Sequence, residues 1–321
     1  MKKRLISGAV FIAILALSFI LKIFVSNYFF DAMILAISCV ATWEMASLLT
    51  KTGKYNNKII ATIFPAILMT AILLCIHFES SINIVFTIAI AVAVIVLFFL
   101  VTFLYTLITR KTTRMEIKAR KMQVSAPKFA IIKALNTTIA FVYPAFLMIF
   151  FTFINHLGNM GTTFAIIGEN GSIISVFVLL LAFLIPIFTD TFAYLVGSLI
   201  GGVKIAPKIS PNKTLSGCIG GSVFCVLLCL VTFFIFNATS VGAVFQSCGI
   251  TVWKVAIIAV IGSVLGQFGD LFESYLKRSA GVKDSGKIMP GHGGLLDRFD
   301  SHMVVAPFVF IAFAILLITV I

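Results

Sequence analysis

The charged residues between Asp270 and Asp300 are spaced as chemistry would require. Asp270, Glu273 and Lys277 stand at i, i+3 and i+7, which puts two carboxylates and an ammonium on one face of a helix. The segment S-Y-L-K-R-S-A-G-V-K-D-S-G-K-I-M-P-G-H-G-G-L-L-D-R-F-D-S, Ser274 to Ser301, follows and reads as a loop. It carries five basic residues, Lys277, Arg278, Lys283, Lys287 and Arg298, among glycines. Glycine lets successive backbone N–H groups turn toward an anion, so the loop could cradle a polyphosphate. Asp297 and Asp300 close the segment at i, i+3. Carboxylates beside such a cradle suit a hard cation such as Mg²⁺, which takes one or two carboxylates plus phosphate oxygens. A loop that only joined two helices would need neither glycines flanking His292 nor alternating acids and bases.

A second segment repeats the theme. In G-S-L-I-G-G-V-K-I-A-P-K-I-S-P-N-K-T-L-S-G, Gly197 to Gly217, Ser210, Lys213 and Thr214 offer hydroxyl and ammonium donors on a turn set by Pro211. Alone, S-P-N-K-T is a common kind of turn; just upstream, however, D-T-F-A-Y-L-V-G places Asp190 and Tyr194 one helical turn apart. The six cysteines carry no metal or disulfide pattern; Cys218, Cys225 and Cys229 share a helical face as small packing residues.

The elements that position these groups must be membrane helices. The chain is 61% hydrophobic and 11% charged over 321 residues, against roughly 25% charged in soluble domains. Its apolar runs are about 20 residues or more, enough to cross a bilayer as helix, the form that satisfies its own backbone in lipid. Nine spans are predicted, at 5–25, 28–50, 59–77, 82–109, 129–154, 172–200, 218–237, 251–276 and 302–321. Alternate connections, beginning with the N-terminus, hold 21 of the 24 Lys and Arg residues, which predicts a cytoplasmic N-terminus and an external C-terminus. Lys22, Lys133 and Lys254 lie near span ends and can snorkel. K-K-R before the first apolar run resembles a secretory signal, but no convincing cleavage site follows and the run reads as a retained helix. The net charge of +13 then reflects topology and anionic lipid, and nucleic acid is not an expected partner.

On this topology Asp190 and Asp270 meet near the inner surface, and acids in apolar spans are functional by default. Gly262, Gly266 and Gly269, at helical spacing before Asp270, read as a close-packing face. Asp31, near the outer edge of the second span, and Glu44, near its inner edge, read as side chains reaching water. The chain is taken as one membrane domain, 1–321, with 1–170 mainly scaffold and 180–302 carrying the catalytic helices and loops. The sequence leaves the oligomeric state open between a monomer and a homodimer.

The stretch Ser274 to Asp300, with S-x-L-K-R, K-D and P-G-H-G-G-x-x-D-R-x-D, resembles the signature of the phosphatidate cytidylyltransferases, or CDP-diacylglycerol synthases. D-x-x-A-Y and S-P-N-K-T look like that family's second block, so the resemblance covers roughly the last 130 residues. Ser216 departs from it, standing where the family pattern has glutamate. The resemblance implies CTP and phosphatidic acid as substrates, CDP-diacylglycerol and pyrophosphate as products, and a multi-pass enzyme of the inner or plasma membrane whose site faces the cytoplasm. It also implies Asp270 and Asp297 as catalytic ligands of Mg²⁺ or a cation pair. Candidate nucleotide phosphate contacts are Ser210, Lys213, Thr214, Lys283, Lys287, His292 and Arg298. Lys277 and Arg278 are candidates for the lipid phosphate, and Asp190, Tyr194, Glu273 and Asp300 for the cavity wall. Two kinds of alternative remain: a cytidylyltransferase or kinase acting on another membrane lipid, such as an isoprenoid ether lipid, and a secondary transporter. A transporter would place its broken helices near the midplane in paired halves, whereas these polar residues gather at one surface.

Overall fold

A computed structural model describes residues 2–77, 84–109, 125–159, 171–291 and 293–318. Among them nine helices are long and apolar enough to cross a membrane. They are α1 (Lys2–Phe24), α2 (Asn27–Lys51), α3 (Lys58–His77), α4 (Ile84–Ile108), α5 (Ala126–Asn155), α6 (Gly171–Ile200), α7 (Leu215–Asn237), α9 (Val252–Ser279) and α10 (Leu296–Ile318). A short α8 (Val241–Ser247) lies between α7 and α9. The protein is a polytopic all-α membrane protein, as its composition predicts. The 30 residues of α6 span about 45 Å, more than a hydrocarbon core of about 30 Å, so one end projects beyond it.

Three helix ends differ from the apolar runs. α7 starts at Leu215 because Thr214 caps it, accepting the Gly217 N–H at 3.2 Å. α9 continues to Ser279 and α10 starts at Leu296, so the ends of the segment read as one long loop are helical. D-R-F-D forms the first turns of α10, where its polarity marks a buried site and not a connection. The S-P-N-K-T segment is not a turn either. It is the strand β2 (Ser210–Thr214), antiparallel to β1 (Lys204–Ala206) with Lys204 opposite Thr214 and Ala206 opposite Ser210. The chain reverses at Pro207–Ile209, where the Ile209 N–H reaches the Ala206 carbonyl at 3.1 Å. Pro211 is tolerated because both strands of a two-stranded sheet are edges.

Lipid gives helices little hydrophobic reason to associate, so close packing through small residues matters. A β-carbon at Gly221 would come within 2.6 Å of the Thr189 carbonyl, which sets how near α7 lies to α6. Likewise a β-carbon at Gly266 would meet Val305, and one at Gly269 would stand 2.7 Å from the Asp300 carbonyl. Gly266 and Gly269 therefore lock α9 onto α10 and bring Asp270 beside Asp300, while Gly262 of the predicted face meets Ile185 of α6. Phe177, Phe183, Phe245, Phe299 and Phe313 fill the interior between these helices. A hydroxyl network joins three of them: Thr189 of α6 donates to Ser263 of α9 at 3.0 Å, and Ser263 pairs with Ser222 of α7 at 2.8 Å.

Toward the other end of the bundle the structure corrects two expectations. Lys22 does not snorkel: it is 6% exposed and donates to Asn27 Oδ1, the Asn155 carbonyl and Ser175 Oγ at 3.0 to 3.2 Å. Asp31 does not reach water: it is 2% exposed and pairs with His156 Nε2 at 2.7 Å and Asn155 Nδ2 at 3.0 Å. A charge in an apolar interior persists only with such partners, and these hold α1, α2, α5 and α6 together.

Candidate active site

Four helices and a strand converge on one polar cavity of about 370 Å³, α7 contributing Gly217 and Cys218. α6 contributes Asp190 and Tyr194, β2 contributes Ser210, Asn212, Lys213 and Thr214, and α9 contributes Gln267, Asp270 and Lys277. Asp297, Arg298 and Asp300 come from the start of α10, and Asp284 from the loop before it. The hairpin delivers Lys213 across the mouth of α9: its Nζ lies 2.6 Å from Asp270 Oδ2 and 3.3 Å from the Gln267 carbonyl. Ser274, one turn along α9, donates to Asp270 Oδ1 at 3.3 Å. Lys277 sits deeper, paired with the buried Glu273 and, at 2.8 Å, with Asp297 Oδ1. Asp270, Glu273 and Lys277 share one face of α9, as their spacing predicts, and take part in three ion pairs, with Lys213, with each other and with Asp297.

Asp297 stands in the first turn of α10, where orphan N–H groups and the helix dipole favour a carboxylate. It accepts the Gly294 N–H at 2.7 Å and the Ser285 N–H at 3.0 and 3.2 Å on its two oxygens, besides Lys277. Gly293, with φ of 89°, gives way to this carboxylate: a β-carbon there would meet Asp297 Oδ2 at 2.6 Å. The loop closes on itself through the Met289 N–H to the Gly293 carbonyl at 3.0 Å. Gly293 and its neighbours therefore fold the loop around a protein carboxylate, which corrects their reading as a cradle turned toward an external phosphate.

The cavity gathers Asp270, Asp297, Ser210, Lys213, Thr214, Arg298, Asp190, Tyr194 and Asp300, all expected there from sequence. Five others among the described residues stand differently. Lys283 and Lys287 are exposed and outside the cavity wall. Arg278 is also outside it: its Nε donates to the Ile209 carbonyl at 3.2 Å and a terminal nitrogen to the Val282 carbonyl at 3.3 Å. It ties the hairpin turn to the loop and stands apart from the cavity. Lys277 lines the cavity wall, half-buried between two carboxylates. His292 lies outside the described residues. Glu273 is fully buried behind the wall as the partner of Lys277. Ser216, where glutamate was expected, donates to the Gly201 carbonyl and to Thr214 Oγ1, and so braces the cap of α7.

Sequence reading missed Gln267, Asn212 and Asp284. Gln267 stands three residues before Asp270 on the same α9 face, and its Nε2 donates to Ser222 Oγ at 3.0 Å and the Cys218 carbonyl at 3.3 Å. It separates the polar cavity from an apolar groove of about 630 Å³ between α7 and α9, lined by Ile219, Val223, Leu227, Val264 and Phe268 among others. Gln267 and Cys218 belong to both walls. Such a junction can hold an anionic head on one side and hydrocarbon on the other.

The donor set fits a hard cation that arrives with phosphate. Among the described residues the cavity wall carries five carboxylates against three cations, Lys213, Lys277 and Arg298. No group of three or more His, Cys, Asp or Glu side chains among the described residues is arranged to hold a metal ion unaided. Mg²⁺ takes one or two carboxylates and completes its shell with phosphate oxygens and water.

Three relatives are similar to this chain, and each is named a phosphatidate cytidylyltransferase. The protein from Staphylococcus haemolyticus is 46% identical over 129 residues, and that from Staphylococcus saprophyticus is 48% identical over 129 residues. The Staphylococcus aureus protein is 50% identical over 132 residues. Each alignment covers 40% of this chain, and the chain spans about half, 46%, of the length of these relatives. The model of the cytidylyltransferase family matches residues 2–316, nearly the whole sequence and both halves of the bundle. The chain belongs to the cytidylyltransferase family.

Proposed function

We propose that the protein transfers the cytidylyl group of CTP to phosphatidic acid, forming CDP-diacylglycerol and pyrophosphate at the cytoplasmic face of a cell membrane. The observation that carries this reading is the junction at Gln267, where a cavity rich in cations and carboxylates meets an apolar groove open to lipid. A nucleotide and a phospholipid headgroup need the first surface; acyl chains need the second.

In the reaction an oxygen of the phosphatidate phosphate forms a bond to the α-phosphorus of CTP. The bond from that phosphorus to the bridging oxygen breaks, and pyrophosphate leaves with the electron pair. The nucleophile is a phosphomonoester with a second pKa near 6, already mostly dianionic at neutral pH, so no general base is required. The task is to align two polyanions in line. Lys213, steered by Asp270, and Arg298 contact the nucleotide phosphates, with Ser210 and Thr214 adding hydroxyls. Lys277 stays in the cavity and places its positive charge between Glu273 and Asp297. Asp270 and Asp297 would hold Mg²⁺, with a second cation beside it; when bound, these supply charge neutralisation at the phosphates. Gln267 and Cys218 mark where the lipid head in the cavity gives way to acyl chains in the groove. The N-terminus lies in the cytoplasm on this reading, because the loops on the side of the cavity carry most of the Lys and Arg residues.

The test uses purified protein in detergent with CTP, phosphatidate and Mg²⁺, with CDP-diacylglycerol as the product sought. Turnover with an isoprenoid ether lipid phosphate but not with phosphatidate would replace the acceptor.

A further inference from the structure

Glu44 lies in α2, in the half of the chain that reads as scaffold, yet the structure places it under the loop before α10. It is 3% exposed. Its Oε2 accepts the Leu296 N–H at 2.8 Å and the Ser285 hydroxyl at 3.2 Å, so a single oxygen receives one donor from each end of the segment 285–296. The Leu296 N–H is one of the orphan donors at the start of α10, which Glu44 caps from another helix. Ser285 divides its donors between two carboxylates: its hydroxyl goes to Glu44 and its N–H to Asp297. Glu44 and Asp297 are therefore held in a fixed relation by one residue.

Two glycines follow from the same contact. Neither Gly286 nor Gly294 has a φ in the left-handed region. A β-carbon at either would nevertheless run into the Glu44 carboxyl group. They are glycines for room, and the room is taken by Glu44.

We propose that Glu44 is a positioning residue: an α2 carboxylate that fixes both ends of the 285–296 loop and thereby sets where Asp297, and through it Lys277, stands in the active site. Its kinetic consequence rests on the cytidylyl-transfer reading; its structural consequence does not. The acceptor oxygen is what matters, because both donors are neutral groups. Gln supplies such an oxygen, and Ala supplies none.

The experiment compares full-length Glu44→Ala and Glu44→Gln in detergent by hydrogen exchange of peptides spanning 283–296 and by kinetics at varied CTP and Mg²⁺. In Glu44→Ala, exchange in that loop should quicken by about tenfold or more, and kcat should fall by about tenfold or more with a higher Mg²⁺ requirement. Glu44→Gln should recover most of both. Gly286→Ala should impair the native enzyme but add little to Glu44→Ala, since the group it would collide with is gone. Three results would overturn the proposal: unchanged loop exchange in Glu44→Ala, Gln as impaired as Ala, or a loss confined to thermal stability with unaltered CTP and Mg²⁺ dependence. If the unsubstituted protein makes no CDP-diacylglycerol, the cytidylyl reading fails, and the exchange comparison still decides the role of Glu44.

Discussion

Replacing Lys213 by Ala removes the cation that the hairpin carries into the cavity. Lys213 Nζ is 2.6 Å from Asp270, in a pair that is neither fully buried nor free in water. If a nucleotide phosphate shares that ammonium, the lost contact is a charge-assisted hydrogen bond, about 1.5 to 3 kcal/mol. Half-saturation by CTP should then rise roughly ten- to a hundredfold. Lys213→Arg retains the cation and should lose less. The assay is CDP-diacylglycerol formation at varied CTP with phosphatidate held saturating, then the reverse, at matched levels of folded protein. Unchanged CTP dependence with a shifted lipid dependence would refute the assignment of the hairpin to the nucleotide.

Asp270→Asn and Asp297→Asn should each abolish most Mg²⁺-dependent turnover, and the double variant should be little worse than either, as expected for groups acting as one unit; multiplicative losses would separate them. Asp297→Asn should also loosen the loop, because its single oxygen cannot replace both carboxylate oxygens, one facing Lys277 and the other the Gly294 and Ser285 N–H groups, which peptide-level hydrogen exchange would register. Val264→Trp, filling the groove between α7 and α9, should displace about two methylenes' worth of acyl contact and raise half-saturation by long-chain phosphatidate roughly tenfold, at about 0.8 kcal/mol per buried methylene. Short-chain phosphatidate and CTP should be unaffected. Reporter tags in the Arg110 to Lys128 connection should be cytoplasmic and a tag after Ile321 external; a cytoplasmic C-terminal tag would contradict nine crossings.

The membrane spans were legible because lipid forces long apolar runs into helix, and their number needed only hydropathy. The meeting of Asp190, Asp270, Asp297 and Asp300 was legible because acids in apolar helices demand a shared polar space. Helix ends were less so. The D-R-F-D segment looks like a connection by polarity alone, yet it is helix whose polar face looks into a cavity. Lys22 and Asp31 misled for a related reason: hydropathy cannot say whether a charge near a span end meets water or a buried partner. Glu44, read as reaching water, is buried in the same way, and its donors lie more than 240 residues away in sequence. Nor could sequence separate a glycine needed for its backbone, such as Gly293 with φ of 89°, from Gly286, which makes room for a carboxylate.

Cytidylyl transfer to a lipid is tested most directly by following CTP labelled at the α-phosphate and, separately, at the γ-phosphate. Purified protein with phosphatidate and Mg²⁺ should move the α label into the lipid product and release the γ label as pyrophosphate. Label passing from the γ position to lipid would make the protein a kinase, and no lipid labelling from either position would contradict the account.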